Sequence, residues 1–304
     1  MTATVGRALT APEHWSSWSD TTELYRFSLG LGLRSMDLRH ARAALPRILN
    51  PLSYPRGMEF ALTMRGLHLP AGRQGLPERA RVLDVASPKL LFLWLAAKSQ
   101  LELTATDIVG GFIPKTRYLL ERLGLAEEVG GRLRLEAQDA RLLTYADGSF
   151  DAVYSVSVIE HIPDDGDSRA MRQIARVLRP GGRVCLTVPF SMRCEEDWVS
   201  HDVFERHRRS TEKLFFQRRY DPEALQKRLI GPSGLREMER AYFGEPLARF
   251  DRYWNRLPMA LRLPLAWAQP LFERAFLREL NEGERGRAIG VALTLVKEGD
   301  AVDG

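Results

Sequence analysis

Three stretches of this chain hold residue types suited to chemistry near neutral pH. Glu160 and His161 stand side by side just after a run of β-type residues. Imidazole titrates near neutrality, so His161 is a candidate to take a proton from a hydroxyl. A packing role that only shapes the site is the competing reading, and the commoner one for a histidine so placed. Ser87-Pro88-Lys89 forms the second stretch. Serine is a good helix N-cap and proline a good first helical residue. The N–H groups and dipole at such a helix start favour a carboxylate, and Lys89 adds a charge. The third stretch gathers Glu195, Glu196, Asp197, His201, Asp202, Glu205 and His207. It lacks a helical pair of histidines, so we expect a charged, solvated lid and no metal site. His201 is a second candidate base there.

These residues must be held by regular elements. The first 80 residues read as helices and loops, with apolar positions at helical spacing in Leu24–Leu33 and Leu38–Leu49. From residue 81 short apolar runs alternate with amphipathic stretches, the pattern of repeated βα units. Strands are expected at Arg81–Ala86, Leu101–Asp107, Arg132–Gln138, Phe150–Ser157 and Arg183–Pro189. Helices are expected over Pro88–Ser99, Pro114–Gly124 and Ser168–Leu178. Two further strands, Leu235–Phe243 and Gly286–Val296, flank a helical insert from Gly244 to Arg285. The fold class is therefore α/β: a doubly wound, Rossmann-like, seven-stranded and mostly parallel sheet, with ligands expected at the carboxyl ends of its strands. We divide the chain into an N-terminal helical segment (1–78), a core (79–192), a cap (193–233) and C-terminal strands with the insert 244–285 (234–304).

The run Phe150-Asp151-Ala152-Val153-Tyr154-Ser155-Val156-Ser157-Val158-Ile159-Glu160-His161-Ile162 is followed by Ala175-Arg176-Val177-Leu178-Arg179-Pro180-Gly181-Gly182-Arg183-Val184. Together these resemble the fourth and fifth strands of class I S-adenosylmethionine-dependent methyltransferases of the type 11 subgroup, over about residues 79–190. The resemblance implies S-adenosylmethionine as cofactor. It places Asp84 at the acidic end of the first strand, Asp107 on the ribose hydroxyls, Asp139 on the adenine amino group and the Ala140 N–H on the adenine ring. It gives the Ser155 carbonyl to the cofactor's amino group. The family's three glycines after the first strand fall here on Ala86, Pro88 and Leu90. Ser87 and Lys89 are expected to hold the cofactor's carboxylate in their stead, with Arg56 of Tyr54-Pro55-Arg56 as the alternative partner.

The implied activity is methyl transfer to a small-molecule or lipid-like acceptor, O-methylation favoured. Two alternatives stand beside it: a non-catalytic binding or regulatory protein on the same fold, suggested by the missing glycines, and an RNA methyltransferase, suggested by the arginine excess. The chain has 304 residues, a formal charge of +5 and only two cysteines, Cys185 and Cys194. That composition is globular and fits a reducing, cytoplasmic setting. No RNA-binding motif accompanies the arginines, so a nucleic-acid partner is not expected. Leu247, Phe250, Trp254, Leu257, Leu261, Leu265 and Trp267 form an apolar stripe among Arg249, Arg252, Arg256 and Arg262. We expect it to pack as helices on the protein, completing an acceptor pocket or a subunit contact; peripheral contact with a membrane is the alternative.

Overall fold

The computed structural model describes residues 17–36, 48–69, 76–200, 213–247, 250, 253, 257–258, 261 and 265–299. Five parallel strands, β1 (Arg81–Val85), β2 (Glu102–Asp107), β3 (Leu133–Ala137), β4 (Phe150–Val156) and β5 (Leu178–Pro189), lie in the order β3-β2-β1-β4-β5. Both faces of the middle strands are covered, which is why Val82, Leu83, Val85, Ala152, Val153 and Tyr154 form near-continuous apolar runs. β3 lies at the edge of the sheet: Leu133 is buried and Ala137 is exposed.

Helices α3 (Leu90–Lys98), α4 (Phe112–Arg122) and α5 (Gly166–Val177) make the crossovers. Six consecutive residues of α3, Leu91 to Ala96, are buried, so it is a core helix without a polar face. One face of the sheet packs with α5 through Met171, Ile174 and Val177. The other packs with α3 and α4, and with α1 (Ser17–Arg34) and α2 (Arg56–Leu67) through Leu24, Leu31, Phe60 and Met64. The N-terminal helices therefore share one core with β1 and β4.

β5 begins five residues before the expected strand, so Pro180-Gly181-Gly182 lies within it as an irregularity of register against β4. Gly181 has φ +74, and a Cβ on Gly182 would stand 2.9 Å from the Asp151 carbonyl, so this crossing requires glycine. β10 (Ala288–Val296) runs antiparallel between β5 and β8 (Arg236–Gly244). The sheet has eight strands where the sequence pattern predicts seven. The additional one, β9 (Arg278–Leu280), pairs with β8 from inside the expected helical insert. Three residues are too few to display a two-residue period, which explains the miss.

The expected cap contains an antiparallel hairpin, β6 (Glu195–Val199) and β7 (Leu214–Arg219). Residues 201–212, with His201 and His207, lie outside the described residues. Of the insert, α6 (Gln269–Phe276) is described, with Pro270 in its first turn. Phe250 stacks on Phe276 at 4.9 Å and meets Tyr54 edge-on at 5.3 Å.

Candidate active site

The parallel order reverses at β1 and β4, and the candidate residues gather where those strands end. After β1 the chain turns through Ala86 at φ +57, a left-handed conformation that an alanine holds at some cost. Ser87 does not cap the following helix. The helix starts later, at Leu90, and Lys89 occupies the cap position without a side-chain capping bond to the helix. The Ser87 hydroxyl instead accepts the Val156 N–H at 3.0 Å, tying the turn to the end of β4.

Lys89 turns inward. Its ammonium donates to Asp84 Oδ2 at 3.1 Å, to the Ser87 carbonyl at 2.8 Å and to the Thr106 carbonyl at 2.9 Å. It also lies 4.9 Å from the centre of the Phe112 ring. Its three protons are thus taken by protein acceptors. Asp84 is buried, which raises its pKa against the opposing pull of Lys89, and its Oδ1 accepts the Ser87 N–H at 2.8 Å. The turn after β1 is closed on itself by an ion pair.

At the next strand ends the picture is more open. Asp107 is half-buried at the end of β2, and its Oδ1 accepts the Val109 N–H at 3.1 Å. Asp139 is gripped by the Arg141 guanidinium at 2.7–3.1 Å, which holds its carboxyl below the ordinary carboxylate range. Ala140 is half-buried beside it. The Ser155 hydroxyl donates to the Val85 carbonyl at 3.1 Å, so its side chain is used inside the sheet.

A second group of residues meets β4 and β5 from α2. Glu59 Oε1 accepts from the Ser157 hydroxyl at 2.7 Å and from Thr187 Oγ1 at 3.4 Å. Arg56 Nη1 lies 2.6 Å from Glu59 Oε2, yet neither atom is in an aligned hydrogen bond. Glu160 is buried, and its Oε2 has no partner. Burial first, and then the nearby Glu59, push its pKa up to about 8, so it is neutral at pH 7. Glu273, on the inner side of α6, is raised to about 8 for the same two reasons. Gly57 allows this approach: a Cβ there would stand 2.3 Å from Glu273 Oε2. Of these, sequence reasoning reached Arg56 and Glu160. It missed Glu59 and Glu273, whose only local signal is the Arg56–Glu59 spacing of three on a helix.

His161 follows on a 3₁₀ turn, Ile159–His161. Its Nδ1 lies 2.7 Å from the Phe216 carbonyl on β7, and its Nε2 lies 3.7 Å from Glu160 Oε1. A carbonyl can only accept, so Nδ1 carries the proton and Nε2 is the basic nitrogen of the neutral ring. The hairpin that supplies Phe216 is itself fastened to α5 through Arg218 and Asp167, 2.8 Å apart. Among the described residues no group of three His, Cys, Asp or Glu could hold a metal ion.

Residues 83–186 match the family described as "Methyltransferase domain". A curated protein from Streptomyces halstedii, methyltransferase GfsG, is 33% identical over 93 residues, which is 31% of this chain and 31% of that protein. The 27-O-demethylrifamycin SV methyltransferase of Amycolatopsis mediterranei (strain S699) is 38% identical over 86 residues, 27% of this chain and 31% of that protein. The chain thus spans about a third of the length of these relatives. In three dimensions it is similar to the [4+2]-cyclase SpnF, with a TM-score of 0.52 at 19% identity over 82% of this chain and 84% of that one, a likeness of fold. The matched stretch runs from β1 to β5 and includes the whole switch point, so the likeness of residues 83–186 to the methyltransferase-domain family spans the crevice where the candidate residues gather.

Proposed function

We propose that the chain transfers a methyl group from S-adenosylmethionine to a small-molecule or lipid-like acceptor, at oxygen in preference to nitrogen or carbon. The observation that carries this reading is the match of residues 83–186 to the methyltransferase domain across the β1–β4 crevice. The preference for oxygen draws on the O-demethyl substrate in the name of the Amycolatopsis relative.

The buried polar atoms beside the strand ends, the ion-paired Arg56 Nη1 and Glu59 Oε2 and the Glu160 Oε2 that has no hydrogen bond, suit the cofactor's methionyl end, which carries an ammonium and a carboxylate. In our reading Arg56 takes that carboxylate. Lys89 holds the turn in shape and does not meet the ligand. Asp107 binds the ribose hydroxyls, while Asp139 and Ala140 face the adenine. The bound cofactor supplies an activated methyl on a sulfonium. The protein's share is then to align the acceptor, exclude water and receive one proton. His161 Nε2 is our candidate for that proton, its ring held by the Phe216 carbonyl.

Two expectations follow for binding. Asp107→Ala should weaken S-adenosylhomocysteine binding by about 1.5–3 kcal/mol, the size of a charge-assisted hydrogen bond, as read by titration calorimetry. Arg56→Ala should cost roughly tenfold or more in affinity, while Lys89→Met should lower the melting temperature with a much smaller change in affinity. The opposite pattern, with affinity lost in the Lys89 variant alone, would put the carboxylate back at the turn after β1.

The reaction is tested by incubating the protein with methyl-labelled S-adenosylmethionine and panels of phenolic, polyketide-like and lipid acceptors. Label in an acceptor, lost in His161→Ala, is the expected result. The self-closed turn around Lys89 also favours a non-catalytic binding protein, and cofactor binding without transfer to any acceptor would select it.

A further inference from the structure

We propose that α6 is a hinged lid on the first turn of α2, latched by the carboxyl of Glu273 and released when that carboxyl loses its proton. A permanently packed helix buries an apolar stripe. On α6 the two buried positions are Gln269 and Glu273, four residues apart and so on one side. Phe272 and Phe276 are only half-buried and meet Phe250 at ring distances of 5.1 and 4.9 Å, while Leu271 points into solvent. Of the sequence stripe, Phe250 and Leu257 pack around Tyr54 as expected, and the exposed Leu265 and Trp267 do not. Trp254, Arg249, Arg252, Arg256 and Arg262 lie outside the described residues.

The inner side of α6 is therefore held by polar bonds. Gln269 Oε1 accepts the Tyr54 N–H at 2.8 Å, and Gln269 Nε2 donates to Asn50 Oδ1 at 3.0 Å. Glu273 Oε1 accepts the Gly57 N–H at 3.4 Å, a long bond for a buried carboxyl. That carboxyl fills a notch left by a missing side chain, since a Cβ on Gly57 would stand 2.3 Å from Glu273 Oε2. The far end of the helix is anchored differently. After Phe276 the chain extends at the buried Leu277 (φ −108, ψ 129) and enters β9, which the sheet holds through β8. Leu277 is thus the hinge, and Gln269 and Glu273 fasten the end that swings.

The surroundings of Glu273 make its proton decisive. From α2 comes Glu59, whose carboxylate is shared by Arg56, the Ser157 hydroxyl and Thr187 Oγ1. From α1 come the Thr21 methyl, beside the same Gly57 notch, and Tyr25, whose hydroxyl donates to the Trp267 carbonyl at 3.3 Å. The chain before α2 adds the Tyr54 hydroxyl, bonded to Glu245. On α6 itself Arg274 is exposed. Among the described residues the influences on the Glu273 carboxyl are its burial, the Gly57 N–H and the Glu59 charge, with no cation among them. A carboxylate formed there meets a like charge with one long N–H bond to offset it, and it reaches water by moving α6 outward. Its pKa of about 8 places this release near neutrality and above. An open α6 uncovers the first turn of α2, where Arg56 and Glu59 stand. That this eases entry of the cofactor rests on the reading of those two residues given above; the latch itself does not.

Amide hydrogen exchange of the full chain, with no ligand present, tests the latch apart from methyl transfer. Glu273→Gln keeps the shape of the side chain and cannot ionise, and comparing it with the parent at one pH removes the intrinsic pH dependence of exchange. At about pH 8 the α6 amides of the parent should exchange roughly tenfold or more faster than those of the variant, and at about pH 5 the two should differ little. In both proteins β1, β4 and β5 should stay protected over the time in which α6 of the parent exchanges. Gly57→Ala, which crowds the carboxyl out of its notch, should speed α6 exchange already at about pH 5. Equal α6 exchange in parent and Glu273→Gln at about pH 8 overturns the proposal. So does exchange of α6 and the strands together, since α6 would then be released only by unfolding of the whole protein.

Discussion

Replacing Asp167 with alanine is expected to cost about 3–5 kcal/mol of stability, the loss typical of removing one partner from a buried ion pair. Asp167 is fully buried at the start of α5. Its Oδ2 accepts from Arg218 Nη1 at 2.8 Å, from the Tyr220 hydroxyl at 2.9 Å and from Arg228 Nε at 2.8 Å. Its Oδ1 accepts from Arg228 Nη2 at 2.8 Å and from the Ser168 N–H at 2.7 Å. Alanine would leave the Arg218 guanidinium, only 3% exposed, with the half-exposed Glu196 as its remaining carboxylate. Asp167→Asn keeps acceptor capacity on one atom and should lose less. Urea unfolding checks the order, and a loss below about 1 kcal/mol in the alanine variant would mean that the clamp contributes little. The same clamp sets the hairpin against His161, so the alanine variant should also shift the His161 ring resonances.

The second large effect depends on pH. Glu273 has its pKa pushed up to about 8 from an ordinary 4.5, by burial first and by the neighbouring Glu59 next, with the Gly57 N–H pulling the other way. In the unfolded chain the same carboxyl loses its proton near the ordinary value. Between those two pH values the folded protein binds a proton that the unfolded chain has released. Stability therefore falls as pH rises through this window and levels off above it. Glutamine is the neutral shape of the same side chain. Glu273→Gln should match the parent at about pH 5 and exceed it at about pH 8 by on the order of a few kcal/mol. Glu160 carries a similar shift, so the variant should lose part of the pH dependence and retain part. Equal stability of parent and variant across the range would mean that Glu273 ionises without penalty in the folded protein.

The parallel core was legible because its strands are buried on both faces and read as continuous apolar runs between breaks such as Ser87-Pro88 and Pro180-Gly181-Gly182. β9 was not legible, since three residues carry no period. The hairpin β6–β7 was hidden for a different reason: its residues are mostly polar and half-exposed, so no alternation marks them. At the site, Asp84 and Asp107 were reached through the resemblance to the methyltransferase family, which assigns an acid to each of those strands. The partners of Lys89 were not. Sequence suggests a cation facing a ligand, whereas the fold folds it back over the carbonyls of Ser87 and Thr106. Glu59 was invisible because its contact with Ser157 spans 98 residues and exists only once α2 lies on the strand ends.

The central claim is that the crevice between β1 and β4 binds S-adenosylmethionine although the turn after β1 carries Ala86, Pro88 and Leu90 and is closed by Lys89. Titration calorimetry of the full chain with S-adenosylhomocysteine tests it most directly, since binding requires no acceptor. The account predicts saturable binding at one site and a rise in melting temperature with ligand concentration. No heat of binding and no thermal shift at millimolar ligand would contradict it.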